Sequence, residues 1–330
     1  MLVTAPTNVL YLTGFESSNA AVLVEQDRVR LFTDFRYAER ARELEGVEVE
    51  QTERFIYGDL AGRIPGTIGF EADAVTYANH EVLRESDVSL VPRRGLVESL
   101  RAVKEPGELE AIRQASRITD GVYERLAEEQ FSGRTEKELA WRMTEVFHEL
   151  GADEPAFETI VAAGSTAASP HAVPGDAVVQ EGDLVLIDAG AKLDGYCSDC
   201  TRTFAVGEVS DSLRDIYAVT KEAQQAGLDA VRAGTTGRDA DAAARAVIAD
   251  AGYGENFGHG LGHGLGLMVH EAPTLRPESK DTLEAANVVT VEPGIYLSGV
   301  GGVRIEDLVL VTDDGCEVLS TFTKDLLSVR

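Results

Sequence analysis

The stretch Leu184-Val185-Leu186-Ile187-Asp188-Ala189-Gly190 is an apolar run broken by a single acid. It reads as a buried strand, and an aspartate buried there needs a partner. Past a turn near Leu193-Asp194, the return strand brings Asp199. The two acids are equidistant from that turn, so a simple hairpin sets them opposite each other. Directly opposed like charges destabilise a strand pair unless a cation lies between them. A turn centred instead on Asp194-Gly195, a favoured hairpin pair, requires a bulge to restore the facing.

A second stretch repeats the device. Val288-Val289-Thr290-Val291-Glu292 enters a hairpin pattern and Val303-Arg304-Ile305-Glu306 leaves it, with Glu292 and Glu306 equidistant from Gly299. Three of the six histidines, His259, His263 and His270, fall in the glycine-rich run 258–271, and His171 follows Ser169-Pro170. Glycines there permit close backbone approach. Four carboxylates with one imidazole suit two divalent cations: Mn²⁺, with Co²⁺, Fe²⁺ or Zn²⁺ as alternatives. The remaining histidines, His80 and His148, sit in helical patterns and read as packing or solvated residues.

Outward from these hairpins the chain repeats itself. Helical patterns at 108–129 and 135–150 precede strands at 157–162 and 184–206. Helical patterns at 213–232 and 237–251 precede 257–259 and two strands within 288–311. Similar turns, Ser132-Gly133-Arg134-Thr135 and Ala233-Gly234-Thr235-Thr236, open the second helix of each half, and Gly151 and Gly252 stop it. The expected order is helix-helix-strand-strand twice. The first hundred residues differ. Strands at 19–24, 29–33, 47–51, 67–71 and 88–91, with helices at 37–44 and 78–85, predict a smaller α/β domain. Pro106 suits the first turn of the long helix, so the expected domains are 1–100 and 101–330.

Composition narrows the function. The 330 residues exceed the usual size of one core. Thirty basic and 57 acidic residues give a formal charge of −27, which repels nucleic acid and anionic membranes. Neither a signal peptide nor a long apolar span is visible, so a cytoplasmic location without membrane partners is expected. Cys197, Cys200 and Cys316 are too few for a disulfide framework, and the Cys197–Cys200 spacing lies in a strand pattern without a second CxxC, which argues against a zinc ribbon.

At these residues the sequence resembles the pita-bread metallopeptidases, the group of aminopeptidase P, prolidase, methionine aminopeptidase and creatinase. The matching runs are IDAG at 187–190, SDCTRTF at 198–204, GHGLGL and VHE between Gly262 and Glu271, VEPGIY at 291–296 and GGVRIED at 301–307. TNVLYLTGF at 7–15 and TDFRY at 33–37 resemble the creatinase-type N-terminal domain of the proline-directed members, which ordinary methionine aminopeptidases lack. The resemblance implies an α/β (α+β) architecture: a C-terminal pita-bread fold with a pseudo-twofold repeat behind that smaller α/β domain. It implies Asp188, Asp199, His263, Glu292 and Glu306 as ligands of two divalent metal ions, with Asp199 and Glu306 shared. Asp188 would hold one ion, His263 and Glu292 the other. Glu292, His270 and His171 would be catalytic, and His171, His259, His270 and Arg304 would contact the substrate or order the site.

The expected activity is hydrolysis of the Xaa-Pro bond at a free N-terminus, with a proline-containing peptide as partner and a homodimer as the usual assembly. Dipeptidases of this group commonly carry an arginine soon after HE-x-P. Here Thr274 follows Pro273 and Arg276 comes later, which tilts the expectation to an Xaa-Pro aminopeptidase, with Xaa-Pro dipeptidase (prolidase) as alternative. A non-catalytic peptide-binding module is the alternative of another class, opposed by the presence of all five ligands. Creatinase-like cleavage of a small amidino substrate is a further minor reading. Many members of the resembled group begin with a helix, whereas this chain starts almost in its first strand.

Overall fold

The computed structural model describes residues 1–64, 66–86 and 88–330, in two compact units, Met1–Arg101 and Ala102–Arg330. The first unit is built on a six-stranded mixed sheet ordered Glu48–Thr52, Val29–Asp34, Ala20–Val24, Leu2–Val3, Thr67–Glu71, Ser89–Arg93. Strand side chains alternate between faces, and the apolar residues follow that period. Leu2, Leu23 and Phe32 join the core beside helix Ile56–Arg63. Val3, Val22 and Leu31 join the opposite core, with Val9 of helix Pro6–Thr13. Both faces are therefore covered. The Pro6–Thr13 and Ile56–Arg63 helices add to those expected from sequence. The helix expected at 37–44 shrinks to Ala38–Ala41.

The second unit contains two helix pairs: Pro106–Ala127 with Glu136–Glu149, and Asp211–Ala230 with Gly237–Asp250. Thr135 and Thr236 occupy equivalent caps, their hydroxyls accepting from the Glu138 and Asp239 amides. Each pair packs on its own sheet. Val122, Leu126, Met143 and Phe147 meet Val161, Val185, Ile187 and Phe204. Ile216, Ala223, Ala244 and Ile248 meet Val289, Val291, Val303 and Val309. The first sheet is ordered Ser328–Val329, Cys200–Val206, Leu184–Ala189, Ile160–Ala163. The second is ordered Glu271–Leu275, Gly262–Gly264, Val288–Val291, Asp307–Val311, Cys316–Val318. The sheets meet along the residues that matter most: Glu306 N donates to Thr201 O at 3.1 Å, and Thr203 Oγ1 donates to Arg304 O at 3.0 Å.

Two expectations need correction. Residues 257–259 are not a strand. Their carbonyls are taken by a side chain: Arg245 donates to Phe257 O at 2.8 Å and to His259 O at 2.7 Å, with its guanidinium over the Phe257 ring. The first hairpin also turns one residue later than a facing of Asp188 and Asp199 requires, on the Asp194-Gly195 pair. Asp194 (φ 50°) and Gly195 (φ 84°) form the turn, as a type I′ geometry demands. The register runs from Leu193 opposite Tyr196 to Asp188 opposite Thr201, with equal residue numbers between, so no bulge restores the facing. Asp199 instead falls beside Gly190, diagonal to Asp188. A Cβ on Gly190 would lie 1.9 Å from Ser198 O, so only glycine allows this crossing. In the second hairpin Val291 pairs with Asp307 and Gly294 with Arg304, and that register sets Glu292 opposite Glu306.

Candidate metal centre

Where the sheets meet, ligand atoms of Asp199, His263 and Glu306 lie within 4.8 Å of one another. Asp199 and Glu306 are buried, at 5% and 1% exposure. Glu292 joins through His263, its Oε1 3.3 Å from His263 Nε2, while Asp199 Oδ2 lies 3.7 Å from the same nitrogen. Asp188 joins through Arg304, which donates from Nη2 to Asp188 Oδ2 at 2.7 Å. The five sequence-predicted ligands therefore belong to one connected cluster, contributed by both halves of the repeat.

Each side chain is aimed by a neighbour. Thr201, opposite Asp188, donates to Glu306 Oε2 at 2.7 Å and accepts from Arg304 Nε at 3.0 Å. Thr290 accepts from the His263 amide at 3.1 Å and donates to Glu292 Oε1 at 3.1 Å. His263 Nδ1 donates to Gly264 O at 3.0 Å, which aims Nε2 at the Asp199 and Glu292 carboxylates. A second relay runs outward. Arg304 Nη1 donates to the Tyr296 hydroxyl at 2.8 Å, and that hydroxyl donates to His259 Nε2 at 2.9 Å. His259 Nδ1 donates to Gly260 O at 2.8 Å, which sets the tautomer.

The electrostatics ask for positive charge. Burial, then the nearby Glu306, Asp188 and Glu292, push the Asp199 carboxyl well above the usual carboxylate range; burial, then Glu292 and Asp188, do the same to Glu306. Burial works against ionised Glu292 too, but the His263 hydrogen bond overrides it and holds that group at about 2. Asp188 Oδ1 and Asp199 Oδ1 are buried without a hydrogen-bond partner. Two orphaned carboxylate oxygens, an imidazole nitrogen directed at two carboxylates, and four acids in one cluster are what a pair of divalent cations would satisfy. The donors therefore fit the expected metal ions.

The other histidines divide by depth. His270 is exposed, its ring 4.3 Å from that of His263, and burial followed by His263 lowers its pKa. His171 is exposed at the rim, close enough for its charge to bear on His259 and His270. Burial lowers the pKa of His259, which keeps it a neutral acceptor for Tyr296. Sequence reasoning assigned no role to Thr201, Thr290 or Tyr296. All three lie in or beside the runs SDCTRTF and VEPGIY, so position was the available signal and partners were not.

Comparison with known proteins follows the same division. Residues 110–313 match the model of metallopeptidase family M24, and residues 1–103 match the creatinase/prolidase N-terminal domain. The chain is 36% identical to the Xaa-Pro dipeptidase of Pyrococcus furiosus over 99% of its own length and 94% of the relative's. Among solved structures, the Xaa-Pro dipeptidase from Bacillus anthracis is 40% identical with a TM-score of 0.97, over 99% of this chain and 94% of that one. The X-Pro aminopeptidase from Thermotoga maritima MSB8 is 36% identical with a TM-score of 0.91, over 98% and 94%. Joined to the site, these likenesses identify the chain as a pita-bread metallopeptidase of family M24 that carries a creatinase/prolidase N-terminal domain.

Proposed function

We propose that this metallopeptidase is an Xaa-Pro dipeptidase, using Asp188, Asp199, His263, Glu292 and Glu306 to hold two divalent cations. The observation that carries the reading is the convergence of Asp199, His263 and Glu306 within 4.8 Å, beside buried carboxylate oxygens that lack any donor. Asp199 and Glu306, which sit between the halves, would be shared by both ions; Asp188 would serve one, His263 and Glu292 the other. When bound, the cations supply an acidified water and polarise the scissile carbonyl.

The chain's own groups do the rest. Glu292, held ionised, takes up a proton and returns it to the departing proline nitrogen. His270 and His171, hydrogen-bond donors at the rim, stabilise charge that develops on the carbonyl oxygen. Arg304 fixes Asp188 and Tyr296, and through Tyr296 it fixes His259 at the wall of the site.

Relatives shift the balance that Thr274 suggested. The dipeptidase from Bacillus anthracis is nearer, at 40%, than the Thermotoga aminopeptidase, at 36%. The aminopeptidase reading keeps one support, the absence of arginine directly after Pro273. Mn²⁺ is the proposed ion, because the donor set is mostly oxygen. A cytoplasmic setting is proposed, supported by three cysteines that are all free, with a homodimer proposed only on the resemblance to the family. Among the described residues no helix is long and apolar enough to cross a membrane. The test is kcat/KM for Ala-Pro against Ala-Pro-Ala with added Mn²⁺, Co²⁺ or Zn²⁺. Preference for Ala-Pro supports the dipeptidase, the reverse preference makes it an aminopeptidase, and no hydrolysis of either rejects both.

A further inference from the structure

His171 rides on the loop of residues 164–175. Its neighbours are tied inward: Pro170 O accepts from Arg304 Nη1 at 3.2 Å, and Ala172 packs against Ala162, Ala167, Leu186 and Tyr296. Part of the loop lies directly on the strand that carries Arg304, since a Cβ on Gly302 would meet Ala167 O at 2.0 Å. What holds the loop's ends is a different residue. Glu136 opens the helix Glu136–Glu149 and is 2% exposed. One carboxylate oxygen, Oε1, accepts from the Ala163 amide at 2.9 Å and from the Thr166 hydroxyl. The other, Oε2, accepts from the Gly175 amide at 2.8 Å.

The clamp is reciprocal. The Glu136 amide donates to Ala177 O and the Lys137 amide to Gly175 O, both at 3.1 Å. A carboxylate at a helix N-terminus is favoured by the exposed amides and the helix dipole. The usual first-turn acid faces solvent, whereas Glu136 spends its bonds on the start and end of one loop. The second half of the repeat does the equivalent with another buried acid on the matching helix. Asp241, 1% exposed, accepts from the Leu261 amide at 3.0 Å and holds Arg245, which grips the carbonyls of Phe257 and His259. Each half thus has a helix acid behind its histidine-bearing loop.

We propose that Glu136 is a positioning residue for His171: it fixes both ends of the 164–175 loop, so that His171 is presented to the substrate from a rigid loop. This rests on the reading of His171 as a substrate contact. Gln at 136 keeps the size but turns one acceptor into a donor, which faces an amide or a hydroxyl that needs an acceptor.

The experiment combines a mutant cycle with spectra of ¹³C-labelled histidines in the Zn²⁺ form. Glu136→Gln lowers kcat/KM for Ala-Pro about tenfold, the lower end of what removing a supporting partner does. Added to His171→Gln it costs no more than about a further twofold, because the two act as one unit. The His171 ring signal moves in Glu136→Gln and in Thr166→Val. The His148 signal, from the far end of the same helix, stays in place, and Asp241→Asn leaves His171 unmoved. Additive losses in the cycle, or a His171 signal unchanged in both variants, overturn the proposal. Should Glu136→Gln fail to fold, Thr166→Val carries the test with Glu136 intact. Should the wild type cleave no Xaa-Pro substrate, the proposed function fails, and the His171 signal still decides whether Glu136 positions the loop.

Discussion

The two halves of the Ala102–Arg330 unit each bring two acids to the same place, and they do it by different registers. In the second hairpin the acids are opposed, Glu292 against Glu306. In the first they are diagonal, because Asp188 faces Thr201 and Asp199 falls two pairs nearer the turn. The aspartates are shorter by a methylene, and the backbone compensates by closing up at Gly190, where Ser198 O leaves no room for a side chain. The glutamates need no such approach. The position that strict symmetry would give to an acid holds Thr201 instead, which links the halves by bonding both Glu306 and Arg304. A repeat can therefore conserve where its charges converge without conserving its strand register.

The largest effect should come from the shared acids. Asp199→Asn from the first half and Glu306→Gln from the second should each lower kcat/KM for Ala-Pro by more than about a hundredfold, beyond what loss of an outer partner gives. A pair of variants that differ widely, one nearly silent, would break the idea that the halves contribute equally.

Backbone closure makes the next contrast. Gly190→Ala should destabilise the protein by about 3 kcal/mol, since the new methyl strikes backbone rather than a movable side chain. Gly299→Ala, with φ of 74° and open space around its Cβ, should cost only about 1 kcal/mol. Denaturant unfolding of both variants measures the difference, and equal costs would mean that the tight approach at Gly190 is not needed.

Thr201→Val keeps the shape and removes the two hydroxyl bonds by which Thr201 joins Glu306 and Arg304. Mn²⁺ affinity should fall about tenfold while unfolding stability changes by about 1–2 kcal/mol. Calorimetric titration checks the first figure and denaturant unfolding the second.

How far the sequence predicted all this depends on the range of the interactions. The helix pairs were legible because their caps are local: Thr135 and Thr236 bond amides three residues on. The acid and histidine runs were legible because their spacing is written along the chain. The Asp194-Gly195 turn was legible as one of two alternatives, but the register was not, because the chain takes that turn without the bulge that facing acids would need. Residues 257–259 read as a strand, yet their carbonyls are satisfied by Arg245, twelve and fourteen residues upstream. Glu136 looked like any acid in a first helical turn, and only the folded loop shows what it holds. The substrate-length preference was read from one position, Thr274, whereas whole-chain likeness gives more support to the dipeptidase alternative.

The smallest expected effect concerns thiols. Burial pushes Cys197 up to about 12 and Cys200 well above its ordinary value, so both stay protonated until the solution is strongly alkaline. At about pH 8 the thiolate fraction of Cys197 is on the order of one in 10⁴. A thiol reagent should therefore modify neither in the folded protein, and half-buried Cys316 of the second half should react first. Rapid labelling of Cys197 or Cys200 would show that the first half is looser than its packing implies.

The central claim is that both halves together build one site for two cations. Titration of the chelator-stripped protein with Mn²⁺, followed by calorimetry, tests it most directly. The account predicts two ions bound per chain, with Glu306→Gln weakening both. One ion or none in the wild type, or two ions bound undisturbed in Glu306→Gln, would contradict it.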